Sequence, residues 1–390
     1  MASIKPTRHL EWIDFLRGLS AVAVILFHVR VDLWVGWNVI HANPNAYSNL
    51  DRATAWLSIL TPFFGSAVML FFLVSGFCVH YPYAGSGRIL ELKTYSARRF
   101  FRIYPPYLGA VVFSIIVELL IGHRLGNQPS SLATVLRSMF MVQNYGVHPG
   151  QMTANPSLWS LPVEVELYIV YPLFYWLLMR FGGRRALIVA AAVSLAALGL
   201  SLNSRLDFVF NIPGHFAVYW IIWCAGALLA EGVKRDRLPV WKPWMSAGMA
   251  AALLLALCVE VRKLPLEVQH LTWALFYFTI ISWGLTRHDL LLSWSVPVRN
   301  AFVFLGMISY SLYLIHFPLF RLCGVLWVSH FGAKPADFLI SLLFCVLAIP
   351  VAYLFYVTIE APSHRFAQSV GRRKKSLPPH DALREPVALP

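Results

Sequence analysis

The chain has 390 residues, 58% of them hydrophobic and 13% charged, with a formal net charge of +14. Soluble domains carry about a quarter charged residues, so this composition excludes an ordinary water-soluble globular domain and points to a chain built for lipid. In a chain with recurring apolar stretches the basic residues are read first against the spans, and nucleic acid is not an expected partner.

Apolar windows of about twenty residues, enough for a hydrocarbon core of ~30 Å, predict ten helices: 12–33, 56–80, 105–122, 158–179, 186–203, 213–231, 244–260, 269–286, 300–329 and 338–358. Lys5 and Arg8 precede the first, as in a signal peptide, but that run holds Arg17 and His28 and no A-x-A site follows, so it reads as a retained span. An even number of spans puts both ends on one side. With the N-terminus inside, the inner segments hold 22 Lys and Arg against 8 in the outer ones, which predicts that both termini are cytoplasmic. The expectation is an all-α integral membrane protein of about ten transmembrane helices. Its membrane domain covers residues 1–365, and residues 366–390 form a basic, disordered cytoplasmic tail.

Between spans two and three, the inner stretch from Arg88 mixes Arg88, Lys93, Arg98, Arg99 and Arg102 with Leu, Phe and Tyr, and winds as an amphipathic helix. Pro105 and Pro106 then mark the entry to the third span. Residues 123–157 form the largest outer loop, a polar stretch ending at Asn155-Pro156. The cysteines, Cys78, Cys224, Cys258, Cys323 and Cys345, have no paired spacing and read as buried small hydrophobes. Tyr107 and Trp159 read as anchors at the membrane interface. The histidines form no metal-ligand spacing, so no metal is expected.

An ionisable residue within a span usually faces the bundle interior and serves a function. Arg17 and His28 are eleven residues apart, three turns plus 20°, and so share one helix face about 16 Å apart along the axis. A cation near the inner mouth can hold a phosphate, and an imidazole further out can take a proton from a hydroxyl. Equally open on spacing alone is an Arg17 that snorkels to lipid phosphate and a structural His28. Asp14 stands at i,i+3 to Arg17 and can hold it.

Trp12-Ile13-Asp14-Phe15-Leu16-Arg17-Gly18 followed by His28 resembles the first-helix motif of acyltransferase family 3, membrane O-acyltransferases that modify cell-surface glycans. Four further segments resemble that family's motifs in order: Phe71 to Phe77, Arg98 to Pro105, Leu158 to Glu164 followed by Tyr168, and Ile308 to His316. Many relatives append an extracytoplasmic esterase-like domain. None is expected here, which implies a stand-alone transferase domain in a bacterial inner membrane.

The resemblance implies acyl-coenzyme A, acetyl most simply, as a donor substrate and no permanently bound cofactor. Arg17, Arg98, Arg99 and Arg102 would hold its phosphates, with positive-inside bias and contact to anionic lipid as the other reading of the last three. An extended pantetheine arm is about as long as the drop from Arg17 to His28. Ser75 and Gly76 could admit that arm, or serve a small-residue helix contact. The fourth span runs inward and the ninth outward, so His28, Glu164 and His316 are expected at similar depth in the outer part of the bilayer. His28 is then the expected general base for the acceptor hydroxyl, with Glu164 orienting it, stabilising its cation or binding acceptor; an acyl-histidine is less favoured. Ser309, His316 and Tyr168 are expected to line the site or meet the acceptor, and Glu166 points away. The resemblance implies a cell-surface or lipid-linked carbohydrate as the acceptor, a lipopolysaccharide or exopolysaccharide sugar foremost. A secondary transporter or flippase is the competing reading, with Arg17, His28 and Glu164 on its pathway.

Overall fold

The computed structural model describes residues 8–122, 129–145, 150–202, 211, 214–287 and 295–371, and no strand occurs among them. Nine helical segments among these residues are long and apolar enough to cross a bilayer. They match nine of the ten expected spans. The tenth, Leu266–Thr286, is a 21-residue helix that packs against its neighbour Pro243–Val261.

The helices that build the site are α1 (Arg8–Asp32), α2 (Ala67–His80), α3 (Leu92–Ile121), α4 (Ser160–Phe181), α5 (Phe216–Lys234), α6 (Val296–Met307), α7 (Ser309–Phe331), α8 (Phe338–Phe355) and α9 (Ala361–Ser369). Between α8 and α9 the chain widens into a π turn, Tyr356–Glu360. The span expected at 300–329 divides at Ile308 (φ −93°, ψ 5°) into α6 and α7, so that α7 starts with Ser309 turned inward.

Two crossings set the packing, and both depend on glycine. A Cβ on Gly76 would lie 2.0 Å from the Trp223 carbonyl oxygen, and one on Gly226 would lie 1.9 Å from that of Leu73, so α2 and α5 meet backbone to backbone. The same reciprocal contact joins α1 to α6, where a Cβ on Gly18 would lie 2.2 Å from the Phe302 carbonyl oxygen and one on Gly306 2.0 Å from that of Asp14. Such small-residue contacts are how helices approach closely in lipid, where apolar burial gives little drive. Gly76 therefore serves the helix contact, the second of its two expected uses.

Pro105 and Pro106 do not begin a helix. They lie inside α3, which runs unbroken for 30 residues from the arginine-bearing stretch into the span. A proline within a helix leaves the carbonyl four residues earlier without its N–H. The Ser363 hydroxyl takes over this duty at the Phe101 carbonyl, four residues before Pro105; one turn away the Tyr310 hydroxyl donates to the Ile103 carbonyl at 2.9 Å and ties α7 to α3. α9 is thereby docked on α3, with the Phe101 and Phe366 rings 4.6 Å apart and Arg98 donating twice to the Val370 carbonyl, at 2.9 and 3.0 Å. The first residues of the expected tail are thus helical, and its remainder from 372 lies outside the described residues.

The described part of the loop at 123–157 folds into the bundle. Gln143, Asn144 and Asn155 are buried, and their side-chain amides donate to the carbonyls of Leu158, Trp159, Gly214 and Leu314. Glu118 of α3 anchors the segment by accepting from the amides of Ser130 and Ala154 at 2.8 and 2.9 Å. Irregular backbone at membrane depth requires such internal partners. Tyr107 is fully buried with its hydroxyl on the Ser138 carbonyl, so it belongs to the core rather than to an interface.

Candidate active site

Arg17 projects from α1, held by Asp14 Oδ1 at 3.2 Å, as the i,i+3 spacing predicted, and by the Ser309 hydroxyl at 3.1 Å. It lines a cavity of about 160 Å³ together with Arg99, Arg102, Ser75, Glu164 and Tyr168. A wider hollow of about 400 Å³ lies beyond, lined by Arg98, Arg99, Arg102, His364 and Gln368. Cys78, Arg99 and Arg102 border both, so the two spaces adjoin at an arginine-lined neck.

The three arginines of α3 have different surroundings. Arg98 is committed to the Val370 carbonyl. Arg102 donates to Glu360 at 2.9 Å, and Glu360, fully buried on the π turn, also accepts from the Ser311 amide at 3.1 Å and hydroxyl at 2.6 Å. Arg99 lies over the Tyr95 and Tyr168 rings, 5.9 and 5.7 Å from their centroids, and its Nε is buried without a hydrogen-bond partner. A guanidinium that borders both spaces and has no carboxylate partner among the described residues suits an anion.

Glu164 accepts from the Ser75 hydroxyl at 2.8 Å and from the Tyr168 hydroxyl one turn on; the Trp223 indole donates to Ser75 at 3.3 Å. This corrects two expectations. Glu164 lies at the depth of Ser75, in the cavity that Arg17 and Arg99 line, and its hydrogen bonds go to Ser75 and Tyr168 rather than to His28. The cause is the inward fold of the preceding loop, which lets α4 begin inside the bundle, where Ser160 meets the Tyr313 hydroxyl at 2.7 Å. Glu166 points away as expected, to the Tyr145 hydroxyl and the Phe216 amide.

His28 and His316 come together from α1 and α7, with Nδ1 of His28 2.9 Å from Nε2 of His316. His316 is fully buried; His28 is partly accessible. Tyr313 lines the cavity; its ring centroid is 5.7 Å from that of His316 and its hydroxyl is tied to Ser160 and to the Ser157 carbonyl. Of the expected lining residues, Ser309 and Tyr168 face the cavity and His316 stands behind Tyr313.

Several polar groups escaped the sequence reading. Glu360 is one; Asp32 and Arg321, paired at 3.2 Å, are others, as is a fully buried His80 that contacts Glu231 at 2.9 Å and the Tyr171 hydroxyl at 3.0 Å. Each lies within or at the end of an apolar window, so the criterion that singled out Arg17 marks them as well; their partners follow only from the packing. Cys78 and Cys258 are exposed and Cys323 is half-buried, against the expectation of five buried thiols. Among the described residues no group of three or more His, Cys, Asp or Glu side chains could hold a metal ion.

The sequence model of an acyltransferase domain matches residues 10–357. The chain is 25% identical to Acyltransferase MdmB of Streptomyces mycarofaciens, over 92% of both proteins. It is 24% identical to O-acetyltransferase OatA of Staphylococcus aureus over 91% of its own length and 57% of that relative's. No solved structure matches it. Motifs, helical bundle and family match agree: the chain belongs to the acyltransferase 3 family and is a multi-pass membrane O-acyltransferase.

Proposed function

We propose that the protein moves an acyl group, acetyl most simply, from cytoplasmic acyl-coenzyme A to a hydroxyl of an extracytoplasmic or lipid-linked glycan, with His28 as general base. A lipopolysaccharide or exopolysaccharide sugar is the foremost acceptor, and a bacterial inner membrane the setting. The observation that carries the donor half is Arg99, which borders both the wide arginine hollow and the cavity holding Arg17 and has no carboxylate partner among the described residues. Phosphates in the hollow would meet Arg99 first and Arg102 second, while Arg98 secures the wall.

In this reading the pantetheine arm runs along the cavity past Ser75 and Glu164, whose hydroxyl and carboxylate offer it polar partners, toward Tyr313. Displacement of the Tyr313 ring joins the cavity to the histidine pair. Glu164 is then a donor-side group, and the base works without it. The name of OatA, an O-acetyltransferase, supports acetyl as the transferred group.

Purified protein in detergent, given acetyl-coenzyme A with water as the only acceptor, is expected to release free coenzyme A slowly. Absence of both release and coenzyme A binding would count against the proposal.

A further inference from the structure

We infer that His316 is a positioning residue that fixes the tautomer of His28 and leaves Nε2 of His28 as the basic atom; this rests on the reading of His28 as general base. The derivation starts at the buried end. Nδ1 of His316 lies 2.7 Å from the Tyr313 carbonyl oxygen and 3.1 Å from that of Leu312. A carbonyl oxygen only accepts, so Nδ1 of His316 carries the proton. In a neutral imidazole the other nitrogen then holds a lone pair, and Nε2 of His316 is an acceptor.

The only polar atom that the described contacts place at that lone pair is Nδ1 of His28, 2.9 Å away. The ring centroids are 5.0 Å apart and the planes differ by 22°, so the rings meet edge to edge and nearly coplanar, the arrangement an in-plane lone pair requires. His28 therefore donates from Nδ1, and its lone pair is on Nε2. No hydrogen bond from a described residue reaches Nε2, and it is not among the sealed polar atoms. Phe27 and Phe317 pack edge-on against the ring, each 5.0 Å away, and hold its plane.

The reaction follows from this assignment. Nε2 of His28 takes the hydroxyl proton as the acceptor oxygen bonds to the thioester carbonyl carbon. Collapse of the tetrahedral adduct breaks the carbon–sulfur bond, and the proton passes from Nε2 to the departing sulfur, giving the ester and free coenzyme A. While His28 is cationic, its Nδ1–H to His316 becomes a charge-assisted bond, which stabilises the charged state without moving a second proton. With the other tautomer, Nε2 would carry a hydrogen and no base would face the hydroxyl.

The test has two arms. In histidine-labelled protein in lipid, ¹⁵N solid-state spectra, assigned by signals missing in His28→Asn, should show His28 with a protonated Nδ1 and a bare Nε2; the reverse overturns the inference. This arm needs no substrate, so it stands even if wild-type protein releases no coenzyme A and the general-base reading fails. In the second arm, His316→Leu should lower coenzyme A release about 10²–10⁴-fold with coenzyme A affinity unchanged. His316→Gln, whose amide oxygen can accept from Nδ1 of His28, should recover at least tenfold of that loss. A folded His316→Leu at the wild-type rate, or a folded Gln variant no better than Leu, overturns the positioning role.

Discussion

Arg98, Arg99 and Arg102 fall within one short stretch of α3, and their partners sort them. Replacing Arg99 by Ala should weaken coenzyme A binding by about 10–150-fold, the worth of a hydrogen bond to a charged group, with the loss shrinking as salt rises. Titration calorimetry at two ionic strengths measures it, and an unchanged affinity would return Arg99 to lipid contact. Arg98→Ala should instead free α9, visible as faster amide exchange in residues 361–370 with donor affinity nearly intact. Cys78, exposed on the wall of both spaces, gives an independent readout: coenzyme A should slow its alkylation, and Arg99→Ala should remove that protection. At this scale the sequence showed local pairs well. Asp14 with Arg17 and Glu164 with Tyr168 follow from helical spacing, and both bonds are present. The commitment of Arg102 to Glu360, 258 residues away, depends on how α3 meets the π turn, and no spacing rule encodes that.

Helix contacts explain where the element boundaries moved. Pro105 and Pro106 read as a start because an isolated helix suffers there; Ser363, from a distant helix, gives the Phe101 carbonyl the donor that Pro105 lacks and lets α3 continue. Ser363→Ala should leave the Phe101 carbonyl without its donor and cost about 1–3 kcal/mol. The reciprocal glycine contacts are less forgiving. Gly226→Leu, pushing side chain into the Leu73 carbonyl, should destabilise by ~3 kcal/mol or more and appear as a large loss of detergent-stable protein. Thermal unfolding followed by size-exclusion recovery checks both; a Gly226→Leu protein as stable as wild type would contradict the close α2–α5 crossing. The apolar windows showed which segments are helices because length and hydropathy are local quantities. They could not show that the loop at 123–157 turns inward, because Asn144 and Asn155 are polar in composition and reveal their buried partners only once folded.

At the scale of the whole molecule, the fold sets an arginine-lined hollow beside a cavity lined in part by Tyr313, and the Tyr313 ring contacts His316 of the His28–His316 pair; in the proposed function a path runs from the one to the other. The orientation of that path in the membrane rests on the 22 to 8 asymmetry of basic residues. It predicts that a cysteine introduced at Arg235 is labelled only from the cytoplasmic side and one at Arg262 only from the other. In the proposed function coenzyme A is held at the arginine end while proton transfer occurs at His28. The most direct measurement is coenzyme A release and coenzyme A affinity in purified wild type, Arg99→Ala and His28→Ala. His28→Ala is expected to bind coenzyme A as wild type does yet release it from acetyl-coenzyme A about 10²–10⁴-fold more slowly. Arg99→Ala is expected to lose affinity while keeping turnover at saturation. A His28→Ala protein with undiminished release, or one that has lost donor binding together with turnover, would contradict the proposed function.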